Sequence, residues 1–191
     1  GQSMDRLAES RFYRSMGMDA LNYRPLWNMN KERVVPTEDD GYFRRMLVHG
    51  YVHDYSTAMM GGVSAHAGLF GTAHDVAMMM QMYLNGGEYG GKEYIDTETV
   101  NRFSKKQYQN SRRGLGWDKP RLGQQYPTSE LSSAKTYGHT GFTGTCAWVD
   151  PEKNLVFVFL SNRVHPSSRY NRLASLRIRE RIHTVLYEAV K

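Results

Sequence analysis

His139, Thr140 and Gly141 stand inside Gly138-His139-Thr140-Gly141-Phe142-Thr143-Gly144, a stretch of three glycines, two threonines and one histidine. Histidine is the side chain whose charge ordinarily changes near neutral pH. A threonine hydroxyl both donates and accepts hydrogen bonds. Glycines beside them let another group approach the backbone closely, and a strand edge so composed can offer backbone N–H groups to an oxyanion. This is chemistry suited to acyl transfer. The same composition also suits a glycine-rich hairpin whose histidine has no task, and the residues alone leave both readings open.

Other reactive residues point nowhere so definite. The chain has seven histidines, but no HExxH and no paired Cys/His spacing, so no metal site is expected. His49 and His53 are four apart with Gly50 between them, and His66 and His74 flank a glycine loop. Gly61-Gly62 and the glycines at 68 and 71 precede a helical pattern, yet no GxGxxG or GxxxxGK[ST] accompanies them; tight backbone turns explain them better than phosphate binding. No cofactor is expected. The single cysteine, Cys146, lies in the strand-like run CAWV and reads as a small buried apolar residue rather than a nucleophile. The methionines at 78–80 and 82 read as helix packing.

The chain has 191 residues, enough for one domain with a substantial core, and a net charge of +6. The positive excess is dispersed; its densest run, Arg169 to Arg181, contains Arg172, Arg177, Arg179 and Glu180 and reads as a solvated helix face, so nucleic acid is not the expected partner. No apolar run approaches the roughly 20 residues that cross a bilayer. No leader pattern opens the chain, which starts as though mid-protein.

The elements that must position the candidate residues follow from periodicity. Residues 3–16 suit a helix ended by Gly17. Residues 19–50 suit an irregular excursion tied down by Tyr23, Trp27, Tyr42 and Phe43. Thr72 caps a helix carrying Val76, Met79, Met80, Tyr83 and Leu84 on one stripe, closed by Gly86-Gly87. A short hairpin and a polar helix occupy 88–112, GLGWD (114–118) starts a strand, and 119–136 is loop. Strands at 145–150 and 155–161 flank the turn Pro151-Glu152-Lys153-Asn154. The second is apolar at nearly every position, which predicts cover on both faces. Leu176, Ile178, Ile182, Val185, Leu186 and Ala189 predict a terminal helix packed on that sheet. The fold class expected is α/β (α+β), an antiparallel sheet flanked by helices.

GHTGFTG, with the following strand, a DPE turn and FLSNRVHP, resembles the third motif of the serine β-lactamase and penicillin-binding-protein family, written [K/H]-[T/S]-G. It is closest to the class C β-lactamase-like branch with its esterases and D-aminopeptidases. VHD (52–54), AHAGLF leading into GTAHDVAMMMQMYLNGG, and GLGWD resemble segments of that branch in the same order, and GQSMDRLAESRFYRSMGM resembles the helix after its second motif. The resemblance covers nearly the whole chain. It implies a partial β-lactamase/transpeptidase-like fold, with His139, Thr140 and Gly141 at the third motif and the backbone N–H of Phe142 as an oxyanion donor. It also implies a small-molecule or peptidoglycan-fragment substrate, and a bacterial periplasmic or extracytoplasmic setting.

The family also needs a nucleophilic serine and a lysine in S-x-x-K, which share one helix face so that the amine can take the hydroxyl proton, and a tyrosine in Y-x-N. Ser132-Ser133-Ala134-Lys135 and Tyr108-Gln109-Asn110 match as strings but fall in the wrong order, with Ser132 in a loop where no helix fits. Lys135-Thr136-Tyr137 lacks the glycine. Residues 1–191 therefore read as the C-terminal segment of a β-lactamase-like domain whose first two motifs lie upstream. That upstream part is the expected partner, and the segment alone is expected to be inactive. An exposed sheet edge would then favour a homodimer or swapped assembly. Two alternatives are a non-catalytic module appended to a family 3 glycoside hydrolase (a β-N-acetylglucosaminidase), which the tail FLSNRVHPSSRYNRL resembles, and a cell-wall saccharide or peptide binding domain.

Overall fold

The computed structural model describes residues 1–190. They divide into two compact units, residues 1–75 with 161–171, and residues 76–160 with 172–190.

In the first unit the expected N-terminal helix forms. α1 (Met4–Ala8) runs through a π-helical turn over Glu9–Tyr13 into α2 (Arg14–Met16), and Gly17 ends it at φ 75°, a conformation that costs glycine little. There follow β1 (Asn22–Tyr23), β2 (Pro36–Asp40), β3 (Met46–His49), the short helix α3 (Tyr55–Met59) and β4 (Leu69–Phe70). β1 pairs with β4 and β2 with β3, both antiparallel.

Residues 19–50 are therefore not wholly irregular, and of the four aromatic rings expected to hold them only Tyr23 does so as a part-buried anchor, donating to the Ser64 carbonyl at 3.2 Å. Trp27 is 72% exposed, Tyr42 83% and Phe43 44%. The other anchors are buried carboxylates. Asp40 accepts the N–H groups of Tyr42 and Phe43 at 3.0 and 2.8 Å and the Arg44 Nε–H at 2.8 Å. Arg44 in turn donates to the carbonyls of Val52 and His53 at 2.6 and 3.0 Å. One ion pair thus closes the β2–β3 turn onto the loop that follows β3. Glu38, also buried, meets His53 Nε2 at 2.9 Å and accepts the Ser168 N–H at 3.1 Å. Asn162 donates to the carbonyls of Pro36 and Thr37, so residues 161–171 are bonded to β2.

The chain passes from the first unit to the second within α4 (Ala73–Leu84), which is capped as expected: the Thr72 hydroxyl accepts the Asp75 N–H at 3.2 Å, and Gly86 and Gly87 at φ 71° and 105° follow its end. Val76, Met80, Tyr83 and Leu84 pack with Tyr137 and Val149, and Met82 is fully buried. β5 (Glu88–Tyr89) and β6 (Lys92–Glu93) form the expected hairpin. α5 (Thr97–Ser104) starts at Asp96, which accepts the Thr99 N–H at 2.8 Å. The main sheet joins β7 (Tyr137–Thr140), β8 (Cys146–Asp150) and β9 (Leu155–Phe159), antiparallel in that order. The expected class, helices with antiparallel sheet, is the one observed.

GLGWD departs from expectation. It makes one isolated bridge, Asp118 to Gly138. The chain curls instead of extending, because the Gly114 N–H turns back to the Trp117 carbonyl at 3.0 Å and Gly116 sits at φ 76°. β9 is covered on both faces as its composition predicts: Val156 and Val158 join the Met80 cluster, and Phe157 and Phe159 join Cys146 and Trp148. Being an outer strand, it buries only Phe157 fully. Cys146 is buried, and burial pushes its thiol up to about 12.

The C-terminal segment is two helices, α6 (Arg172–Ser175) and α7 (Ile178–Ala189), broken where Arg177 adopts φ 50°. Its apolar stripe is not the packed face. Leu176, Ile182 and Val185 are 49%, 37% and 62% exposed, while Glu180, His183 and Tyr187 are buried. Two polar tips of the buried face find partners. Tyr187 donates to Asp150 at 2.6 Å, and His183 Nδ1 accepts the Ser129 N–H at 3.4 Å while its ring stacks on Phe157 at 4.4 Å. Of the predicted stripe, Leu186 reaches the Trp148 cluster.

Burial lowers His183 to about 4. In the unfolded chain it takes its proton near ~6.5. Between those values the unfolded state binds the extra proton, so stability is complete above the window and is lost as pH falls through it, by about 3 kcal/mol at its lower end. Thermal midpoints measured from pH 7 to 4 should fall steadily, and His183→Phe should flatten that slope. Equal slopes in both proteins would refute the assignment.

Candidate active-site strand

β7 carries the candidate residues, and its placement begins with Tyr137. This side chain is buried, donates to the Tyr83 carbonyl at 3.0 Å, and meets the Trp117 ring edge-on at 5.4 Å. Gly138 comes next, and here only glycine fits. A Cβ would stand 2.1 Å from the Ala147 carbonyl oxygen and 2.6 Å from the Trp148 ring. Its absence lets β7 lie flat against β8.

On its other side Gly138 exchanges two backbone hydrogen bonds with Asp118, at 2.7 and 3.1 Å. Strand alternation then turns the Thr140 peptide group toward this same outer edge, away from β8. Gly141 ends the strand: its N–H donates to the Thr145 carbonyl at 2.8 Å, and its carbonyl accepts the Gly144 N–H at 3.0 Å. This tight turn presents Phe142, whose side chain is 65% exposed. The four residues expected at the site, His139, Thr140, Gly141 and Phe142, thus lie consecutively at the open end of β7 and its turn.

Three residues that the sequence did not single out complete the strand's surroundings. Asp118 is buried and takes a bidentate bond from Arg112 at 2.6 and 2.8 Å, with Arg113 Nη2 at 3.5 Å. Burial acts to raise its carboxyl, but the Arg112 bonds, the Lys119 N–H and the two guanidinium charges outweigh that and hold it below the ordinary range. Arg113 also reaches forward: its Nη1 lies 2.8 Å from His139 Nε2. The His139 Nδ1 is 2.8 Å from the Thr140 carbonyl oxygen. The adjacent arginines before GLGWD were the only signal available in the sequence.

The strings set aside stay apart from this strand. Ser132 is buried in a loop, and Lys135 pairs with Glu152 at 3.6 Å. Tyr108 is 72% exposed. The histidines of the first unit turn to separate partners, His49 to the Val34 carbonyl and His53 to Glu38. His66 joins VHD to AHAGLF: its Nε2 lies 3.1 Å from Asp54 and its Nδ1 2.8 Å from the Ser64 hydroxyl. Asp54 also caps α3 through the Thr57 N–H at 2.7 Å. Hydrogen bonds led by that of Ser56 hold its carboxyl far below the usual range.

The Beta-lactamase family model matches residues 1–179. The chain belongs to the β-lactamase family. Among curated relatives, an Escherichia coli K12 protein named "Putative D-alanyl-D-alanine carboxypeptidase" is 38% identical over 178 residues, covering 86% of this chain and 41% of the relative. A Salmonella typhi protein of the same name is 37% identical over 175 residues, 85% of this chain and 40% of the relative. The chain thus spans about two fifths of the length of these relatives. Among solved structures, a β-lactamase from Mycobacterium bovis aligns with a TM-score of 0.61 at 16% identity, over 97% of this chain and 56% of that one. A penicillin-binding protein homologue from Caulobacter crescentus aligns at 0.58 and 17%, over 85% and 47%. These likenesses place the fold among β-lactamase and penicillin-binding-protein folds.

The two glycines in and after the candidate strand differ in what they tolerate. Gly138→Ala drives a Cβ into backbone and should cost at least about 3 kcal/mol. A Cβ on Gly141 meets chiefly the Thr145 hydroxyl, which can rotate, so Gly141→Ala should cost only about 1 kcal/mol. Urea unfolding of the two variants tests the order; the reverse order would mean that β7 is not seated as described.

Proposed function

We propose that this chain supplies one wall of a serine hydrolase site that acylates its serine and cleaves an amide or ester bond. The substrate class is a β-lactam or a peptidoglycan fragment, such as a peptide ending in D-alanyl-D-alanine. The observation that carries the reading is the Asp118–Gly138 bridge, whose register leaves the Thr140 peptide group facing an open strand edge. An acyl carbonyl lying along that edge would find the Phe142 N–H as a donor to its developing oxyanion and the Thr140 hydroxyl for a carboxylate or carbonyl oxygen. The serine and its base would come from a preceding part of a longer protein, because the S-x-x-K string here lies in a loop with its lysine turned to Glu152. The setting would be extracytoplasmic, where such substrates occur. β9, an outer strand, would seat that preceding part or a second copy.

Fluorescent penicillin and an activated D-alanyl ester test the proposal on two proteins, this chain alone and the chain with its native preceding sequence. The longer protein should be labelled covalently and the chain alone should not. In the longer protein Thr140→Val should slow acylation about 10–100-fold, the worth of one hydrogen bond to a charged group. Labelling of the chain alone, or none of the longer protein, defeats the proposal. A preceding glycosidase domain would favour the appended module, and muropeptide binding without turnover would favour the binding domain.

A further inference from the structure

The contacts of His139 leave its imidazole one protonation pattern. A guanidinium has N–H donors and no acceptor. Arg113 Nη1 at 2.8 Å therefore requires an unprotonated, accepting Nε2. A carbonyl oxygen only accepts, so the Thr140 oxygen at 2.8 Å requires a proton on Nδ1. Both bonds are satisfied together only by the neutral ring with its hydrogen on Nδ1. An unrestrained imidazole prefers the opposite tautomer, with the hydrogen on Nε2.

Arg113 is itself held in place. Its N–H donates to the Ser111 hydroxyl at 3.1 Å and its carbonyl accepts the Gln107 N–H at 3.2 Å. Its Nη2 lies 3.5 Å from Asp118, which is buried, clamped by Arg112, and bridged through its backbone to Gly138, the residue before His139. The loop is closed: strand to Asp118, Asp118 to Arg113, Arg113 to His139, and back to the strand.

We infer that Arg113 is a positioning residue of the third motif: it fixes His139 as the neutral Nδ1–H tautomer, and its guanidinium carries the positive charge at this place in the site. The inference rests on the reading of His139 as a third-motif residue and deepens it. With Nδ1–H given to Thr140 and the Nε2 lone pair given to Arg113, the ring has no proton for a substrate and no lone pair for one unless Arg113 leaves. His139 acts as a rigid spacer that holds a permanently charged group beside the strand edge, where an amine would stand in a K-T-G version of the motif.

Long-range proton–nitrogen NMR of the full chain, labelled with ¹⁵N-histidine, reads the tautomer directly. The His139 signals are identified by their loss in His139→Gln. The wild type should show a proton-bearing Nδ1 and a bare Nε2. Arg113→Ala should convert the ring to a predominantly Nε2–H population, and Arg113→Lys, which keeps a donor and a charge, should retain Nδ1–H. Arg113 is about half exposed, so the fold should tolerate both; the wild-type and Arg113→Lys spectra decide the matter should Arg113→Ala not fold. A wild-type ring protonated on Nε2, or an Arg113→Ala ring unchanged, overturns the inference. The measurement needs no substrate, so it stands or falls apart from acylation: a longer protein that acylates while His139 shows the wrong tautomer sinks this inference alone.

Discussion

A buried carboxylate at the end of β8 holds the second unit together. Asp150 accepts the N–H and hydroxyl of Ser133 at 3.0 and 2.6 Å, the Glu152 N–H at 3.0 Å and the Tyr187 hydroxyl at 2.6 Å. Burial opposes its charge, yet the bonds from Ser133 and Tyr187 outweigh that and keep its carboxyl low. The four donors come from three different pieces of chain: the loop that delivers the backbone to β7, the β8–β9 turn, and α7. A buried charge that loses a donor is expensive, so the three pieces are bound to one another by a common cost. The placing of β7, and with it of His139 and Thr140, is downstream of that carboxylate.

The first unit uses the same device. Asp40 with Arg44, Glu38 with His53, and Asp54 with Thr57 and His66 each join a turn to a neighbouring segment. Hydrophobic burial in this unit is modest, in side chains such as Tyr13, Met16, Met18, Leu21, Val34 and Val48. Charge-assisted hydrogen bonds supply the geometric definition that a larger core would otherwise give.

What could be read from the sequence was what local chemistry decides. Thr72 caps a helix, Gly17 and Gly86-Gly87 end helices, and the turn at 151–154 joins two strands. The candidate strand was legible because glycine, threonine and histidine at close spacing carry their own signature. The helix face at α7 was misread because periodicity assumes that polar side chains seek water. Here Tyr187 and His183 carry apolar bodies inward and satisfy their tips on Asp150 and on the Ser129 N–H. Arg113 was illegible for a different reason. Its contact with His139 spans 26 residues, and two adjacent arginines look like any solvated pair until the fold brings Asp118 beneath them.

Cys146 bears on how the sheet opens. Thiol reagents attack the thiolate, and this thiol, on the central strand beneath Trp148 and Phe157, is both covered and reluctant to ionise. Reagent can reach it only in molecules whose cover over this face of the sheet, Leu186 of α7 included, has momentarily lifted. The chain therefore carries a single built-in clock, whose alkylation rate counts openings of the cover over the sheet that seats His139, in the same way that slow amide exchange counts openings for a backbone.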